Sequence, residues 1–525
     1  MANNKDSAAN GRYTVKNALV NYYLLLMFTL FPLFFTQQYS NIRHDKYYLF
    51  LIFSMILAVV EFMMVISEDR GPALEQSKKW YRCLSSTDWA MLALLFVYSL
   101  STVFSAYPMD SVTGNQGRNN GLLLMVAYTA VYFVITRQYK FYEYVFGALA
   151  AGSGVVFLLA IINYFYIDPL GMFTGYEQQY ITDFSSTIGN KNLLSSFVCV
   201  CLPVVMMLFI NTAVNKLRWL YYAVTVIGFS ALLVADSDSG FLGFFVFLII
   251  ILIYYIRKPQ KLSMFFFSVF SMLAGAKILR LFSLIMIDNS KGFTDIPRFF
   301  IYNSGISYAL IVFFGLLALT FYLVYKRNPD IIFPKAVFIA AVCIVSLLAC
   351  AVAYLFIKYT FLDTSTPLNE VMSYFRFNDK WGTHRGYMWR KSAEIFGGFG
   401  VKDKLLGCGP DTFYTAFSPY FSELYRLYGD GSTNCAHNEY LNYLVTTGIL
   451  GLAAYLAVIG SFIVRAVKYA KVNPLAMVCC SGVICYCIQA VVNIAQPITT
   501  PLFIILLAIG EAVCRKAKES NRLTE

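Results

Sequence analysis

Charge is what this chain has least of. Of its 525 residues only 13% are charged, three are histidine and five are tryptophan. So little charge is incompatible with a soluble globular surface. No basic block stands out. The net charge of +12 is spread between apolar stretches, which argues against a nucleic-acid partner and for residues that set membrane topology. There is no low-complexity tract, no internal repeat and no matching pair of halves. The N-terminus is polar through Asn17 and the first apolar run is too long for a signal-peptide core, so no cleavable signal is expected. What is abundant is hydrophobic side chains, 58% of the total, with a mean hydropathy of +0.61. The fold class expected is an all-α, polytopic membrane protein.

Apolar stretches of about 20 residues, enough to cross a bilayer, recur along the chain. They run at 18–36, 47–66, 89–104, 121–136, 144–166, 193–210, 219–235, 240–256, 262–286, 299–325, 333–357, 438–464, 475–495 and 501–513, about fourteen helices in all. The stretch 262–286 is interrupted by Lys277 and Arg280. Every second connection is basic, for example Arg137 and Lys140, Lys216 and Arg218, Arg465 and Lys468, Arg515 and Lys516. By the positive-inside rule this places both termini in the cytoplasm and the one long hydrophilic loop outside. Arg43 and Lys46 break the alternation. The division expected is 1–359 (helices 1–11), an extracytoplasmic loop over 360–436, and 437–525 (helices 12–14). A loop of that length should hold short helices of its own, best placed at 370–377 and 387–396. Cys408 and Cys435 share this oxidising location, which leaves a disulfide between them open.

Four polar clusters fall on the loop side. Ser111, Gly114, Arg118, Asn119, Asn120 and Gly121 precede a helix, an arrangement suited to an anion and also to a plain turn. Gly189, Asn190, Lys191 and Asn192 open another helix, where Asn capping is the competing reading. Asp236-Ser237-Asp238-Ser239 contains an Asp-x-Asp triplet, better read as a turn with Asp238 or Ser239 as N-cap than as a metal site. The fourth runs from His384, Arg385 and Trp389 through Leu405-Leu406-Gly407-Cys408-Gly409-Pro410-Asp411 to His437-Asn438-Glu439-Tyr440-Leu441. On a helix Arg385 and Trp389 share a face. His437 stands where the loop re-enters the membrane, and histidine titrates near neutrality, as a general base must. A helix starting at His437 would put Tyr440, Leu441 and Leu444 on its face.

Together these clusters resemble the O-antigen ligase and O-antigen polymerase superfamily of bacterial membrane glycosyltransferases. The specific part is Arg385-xxx-Trp389, Leu405-Leu406-Gly407-x-Gly409-Pro410, His437-Asn438-x-Tyr440-Leu441 and Gly448-x-x-Gly451. The resemblance implies a GT-C-like helical protein of the bacterial cytoplasmic membrane. It would transfer a glycan from undecaprenyl pyrophosphate to an acceptor hydroxyl on the outer face, inverting, without metal or cofactor. The acceptor could be a glycan, a lipid or a wall polymer. Under this scheme His437 acts on the acceptor hydroxyl, Arg118, Arg385 and Lys191 bind the donor pyrophosphate, and Asn190, Asn438, Tyr440, Trp389 and Asp411 support them. The chain departs from the family at Asp238, where many members have a pyrophosphate-binding Arg. The rival reading is a flippase for lipid-linked oligosaccharide.

Overall fold

The computed structural model describes the chain except residues 1, 68–82, 115–117, 213–214, 287–289, 304, 430 and 525. Each expected stretch is helical. In chain order the long helices are α1 Ala2–Phe28, α2 Ile42–Ile66, α3 Ser86–Val103, α4 Leu122–Gln138 and α5 Glu143–Tyr164. Then come α6 Lys191–Asn211, α7 Asn215–Ala235, α8 Asp238–Tyr255, α9 Pro259–Ile285, α10 Gly305–Arg327 and α11 Lys335–Ile357. The last are α12 Glu439–Tyr469, α13 Leu475–Gln489 and α14 Thr500–Thr524. Among the described residues eleven helices are long and apolar enough to cross a membrane, and α4 falls short at 17 residues. The expected fourteen spans are therefore fourteen helices of which eleven meet the requirement for spanning. The only strands among the described residues are Phe184–Ser185 and Gly189–Asn190, an antiparallel pair.

Helix α6 is the axis of the fold, with its membrane-length segment buried throughout. At the other extreme, α11 has no buried residue and lies wholly on the periphery. Local sequence sets the ends. Ser85 and Asp88 form a capping box at the start of α3. The Asn190 and Asn438 side chains cap α6 and α12, accepting from the Leu193 and Leu441 amides at 3.0 and 2.9 Å. The stretch expected at 299–325 is two helices, Asp295–Tyr302 and α10, parted at Asn303. Lys277, which seemed to interrupt α9, instead ends the first of these: its Nζ donates to the Ile301 and Asn303 carbonyls, both at 3.0 Å. Lys46 does the same at Leu30–Leu33, where its buried Nζ donates to the carbonyls of Phe31, Pro32 and Phe34.

Between α11 and α12 lie Glu370–Ser373, Trp381–Gly398, Val401–Leu406, Phe413–Phe417 and Phe421–Tyr428. These gather around Tyr387, Phe413, Phe417 and Leu424, a small core of their own. The expected helix at 370–377 is thus only one turn, and that at 387–396 is the middle of a longer one. At the far end of the bundle the basic residues meet buried acids. Asp88 accepts from Tyr132 Oη at 2.8 Å and pairs with Arg137 and Arg515 at 3.2 and 2.5 Å, and Glu511 takes both arms of Arg465 at 2.7 and 2.8 Å. Such pairs, buried and fully partnered, tie α3, α4, α12 and α14 together.

Candidate functional site

The site is built around a break in α12. Gly448 adopts φ +70°, so the helix is interrupted there and the carbonyls of Val445 and Thr446 are left for other donors. The amides of Cys408 and Gly409 take them, at 3.1 and 2.9 Å. Approach this close allows no side chain on either side. A Cβ at Gly448 would fall 2.3 Å from the Leu405 carbonyl carbon, and one at Gly407 2.2 Å from that of Thr446. The Leu405–Pro410 run is therefore a docking motif that holds the loop helices on α12. From it Ser105 Oγ donates to the Cys408 carbonyl at 2.8 Å and Ser111 Oγ to Ser105 Oγ at 3.1 Å. Asp411 then accepts from the Asn120 amide at 3.0 Å. The turn carrying Arg118 is fixed by these contacts.

His437 does not lie on α12. Its φ is +48°, left-handed, and the helix starts two residues later. The reason is Asn438: a residue whose side chain caps a helix stands outside it. Expecting Tyr440, Leu441 and Leu444 on the face of His437 was thus incorrect. Tyr440 instead sends its hydroxyl to the Cys487 carbonyl at 2.7 Å, joining α12 to α13.

Two cavities open at this end. One, of about 320 Å³, is lined by His437, Arg118, Arg43, Asn434, Asn190 and Gln496. The other, of about 420 Å³, is lined by Arg385, Lys191, Asn192, Asp183, Asp236 and Asp238. They abut along Phe184, Asn190 and Asn192, which line both. A third, of about 40 Å³, has room for little more than water and lies under Arg118 between Tyr98, Asp411 and Glu439. Glu439 itself is buried and taken up by the hydroxyls of Tyr455 and Tyr486 at 2.5 and 2.9 Å.

Arg118 is 6% exposed. One arm donates to Asn434 Oδ1 at 2.5 Å, while among the described residues its buried Nε has no partner. Arg385 makes no hydrogen bond within the described residues. Burial pushes its guanidinium pKa down, and Asp238 opposes that shift. Lys191 pairs with Asp183 at 3.8 Å. The triplet acids part company: Asp236 accepts from the amide and hydroxyl of Thr294, and Asp238 from Tyr374 Oη at 3.0 Å. The N-cap of α8 is Ser237, one residue ahead of the expected pair. Trp389 lines neither cavity. It stacks on Phe377 and packs tilted against Trp381, with centroids 5.9 and 5.3 Å away, and serves the loop core.

Two residues escaped the sequence reading as parts of the site: Arg43, which lines the His437 cavity, and Cys435, which lies beside Arg118 and His437. Arg43 had a visible signal, since it broke the alternation of loop charge. Cys435 had none. Its thiol is buried and free, as is that of Cys408, so the disulfide left open is not formed. Burial alone would push the Cys435 thiol up, but Arg118 and His437 beside it outweigh this and hold it down at about 6.

The O-antigen ligase family model matches residues 299–456. This stretch contains Arg385, the Leu405–Pro410 docking run, His437 and the break at Gly448, and leaves 1–298 and 457–525 unmatched. No curated protein matches the chain. The chain is thus a multi-pass, all-α membrane protein in which residues 299–456 match the O-antigen ligase family.

Proposed function

We propose that the chain transfers a glycan from undecaprenyl pyrophosphate to an acceptor hydroxyl, with His437 as general base and Arg118 as the principal pyrophosphate ligand. The observation that carries this is the single 320 Å³ cavity lined by His437, Arg118 and Arg43 together. A hydroxyl needs its proton removed as it attacks, and a diphosphate leaves readily once its charge is neutralised. The imidazole takes the hydroxyl proton, the oxygen bonds to the anomeric carbon from one side, and the carbon–phosphate oxygen bond breaks on the other. The electron pair departs on the lipid diphosphate and the configuration inverts. Arg43 adds the positive charge that Asp238 cannot, and Arg385 and Lys191 face the donor from the abutting cavity. Asp183 and Asp238, on the same wall, suit sugar hydroxyls. Another glycan, a lipid and a wall polymer all offer such an acceptor hydroxyl.

Cys435 supplies the test. As its pKa is lowered, it is a thiolate above about pH 6 and a thiol below. The thiolate competes with the donor for Arg118, so donor affinity should rise as the pH falls through about 6. The expected gain is about fivefold, from roughly 1 kcal/mol of like-charge repulsion removed. The pyrophosphate diester does not titrate in this range. Cys435→Ser should lessen the change, and Cys435→Ser combined with His437→Asn, which leaves neither thiol nor imidazole beside Arg118, should flatten it. Binding of a lipid-linked oligosaccharide to purified protein between pH 5 and 8 measures both. The same pH response in Cys435→Ser as in the wild type would rule out competition between the thiolate and the donor for Arg118.

The site would face outward and both termini inward, because Arg137, Arg465 and Arg515 meet at the end of the bundle opposite His437. In a cysteine-depleted background, a cysteine at Ser422 should react with an impermeant thiol reagent on intact cells and one at Lys468 should not. The reverse pattern would invert the topology and place the cavity on the wrong face for this donor.

A further inference from the structure

A cavity of about 880 Å³ plays no part in the mechanism above. It is a groove at the end of the bundle opposite His437, where α6 ends and α7 begins, walled by α7, α9 and α10. On α9 it runs from Gln260 to Phe270, and on α10 from Gly315 to Tyr325. Ten helical residues rise about 15 Å, which is half of a hydrocarbon core of about 30 Å. The groove therefore has the depth of one leaflet. At its deep end Phe270 packs on Gly315, its ring 3.1 Å from where a Cβ would stand. Along the wall the ring of Phe267 stacks with Tyr222 at 5.5 Å.

At the mouth is Arg218. Its guanidinium lies over the ring of Phe209, 5.6 Å from the centroid, and against the thioether of Met264. Among the described residues no carboxylate pairs with it. Lys261 nearby is engaged, donating to the Ile210 carbonyl at 2.8 Å. A half-buried cation without a counter-charge, at the headgroup end of an apolar slot one leaflet deep, calls for an anion with a tail.

We propose that this groove holds an anionic phospholipid of the leaflet opposite the His437 cavity, with its headgroup phosphate on Arg218 and an acyl chain between α9 and α10. The donor lipid is a different occupant, because the cations that face its diphosphate are at the other end of the bundle. A zwitterionic phospholipid carries the same phosphate but adds a cation, which Arg218 repels.

The test is native mass spectrometry of the full-length chain released from bilayers of equal phosphatidylglycerol and phosphatidylcholine, counting the lipid retained per protein. Phosphatidylglycerol should be retained about fivefold over phosphatidylcholine, as expected for one basic side chain at the membrane surface. Arg218→Ala should bring the ratio to about one, and Arg218→Lys should keep most of it. Gly315→Leu, which pushes Phe270 into the slot, should lower retention of both lipids alike, with the melting temperature in detergent reporting whether it folds. Equal retention of the two lipids by the wild type would overturn the proposal, as would a preference unchanged in Arg218→Ala or undiminished retention by a folded Gly315→Leu.

Discussion

Replacing His437 by alanine is expected to cut glycan transfer by about 10²–10⁴-fold, the range over which a positioned general base acts, while donor binding persists. The backbone could confuse this result, because His437 stands at φ +48°. Alanine tolerates that region poorly, whereas asparagine enters it readily. His437→Asn therefore preserves the turn and removes only the base, and it should be as inactive as the alanine variant. Cap and frame stay in place in both, since Asn438 still caps α12 and Tyr440 still reaches the Cys487 carbonyl. The readout is product formation from a lipid-linked oligosaccharide by reconstituted protein, with bound donor measured alongside. Near-normal turnover in His437→Asn would reduce His437 to a residue that shapes the helix start.

Arg118→Ala should differ in kind, losing donor binding as well as transfer. The guanidinium is buried, held by Asn434 on one side, and leaves an unpartnered Nε among the described residues. A charge-assisted contact of this sort is worth roughly 1.5–3 kcal/mol, so the loss of donor affinity should be about 10- to 150-fold. Arg118→Lys should recover little, because an ammonium lacks the planar fork that grips two phosphate oxygens. A melting curve close to that of the wild type would show that the turn anchored by Asp411 and Asn120 survives. Full donor affinity in Arg118→Ala would put the diphosphate elsewhere, at Arg385 and Lys191.

How much of this could be read from the sequence follows from what each inference rests on. The helices were legible because a bilayer requires long apolar runs with internally satisfied backbone, and each expected stretch proved helical. Breaks within them were not, as at Asn303, because hydropathy averages over a turn and does not register one. Caps were visible at Asn190, since a polar residue before an apolar run is a local signal. At α12 the local signal was misassigned: Asn438, not His437, begins the helix. Trp389 was grouped with Arg385 on helical spacing, but spacing does not say which side of the face meets a cavity and which meets Phe377. Arg43 joins the candidate site only through tertiary approach, 75 residues from Arg118 (118 − 43), and Cys435, though two residues before His437, meets Arg118 from 317 residues away (435 − 118). No spacing rule reaches that far.

Transfer and flipping of the same lipid-linked glycan are separated most directly in sealed proteoliposomes carrying labelled donor and a hydroxyl acceptor. Free undecaprenyl pyrophosphate and elongated or ligated glycan are measured together over time. The wild-type chain is expected to form the two products in equal amounts, with neither from His437→Asn. Donor that changes leaflet intact, with no undecaprenyl pyrophosphate released, would contradict the transferase account and make the chain a flippase.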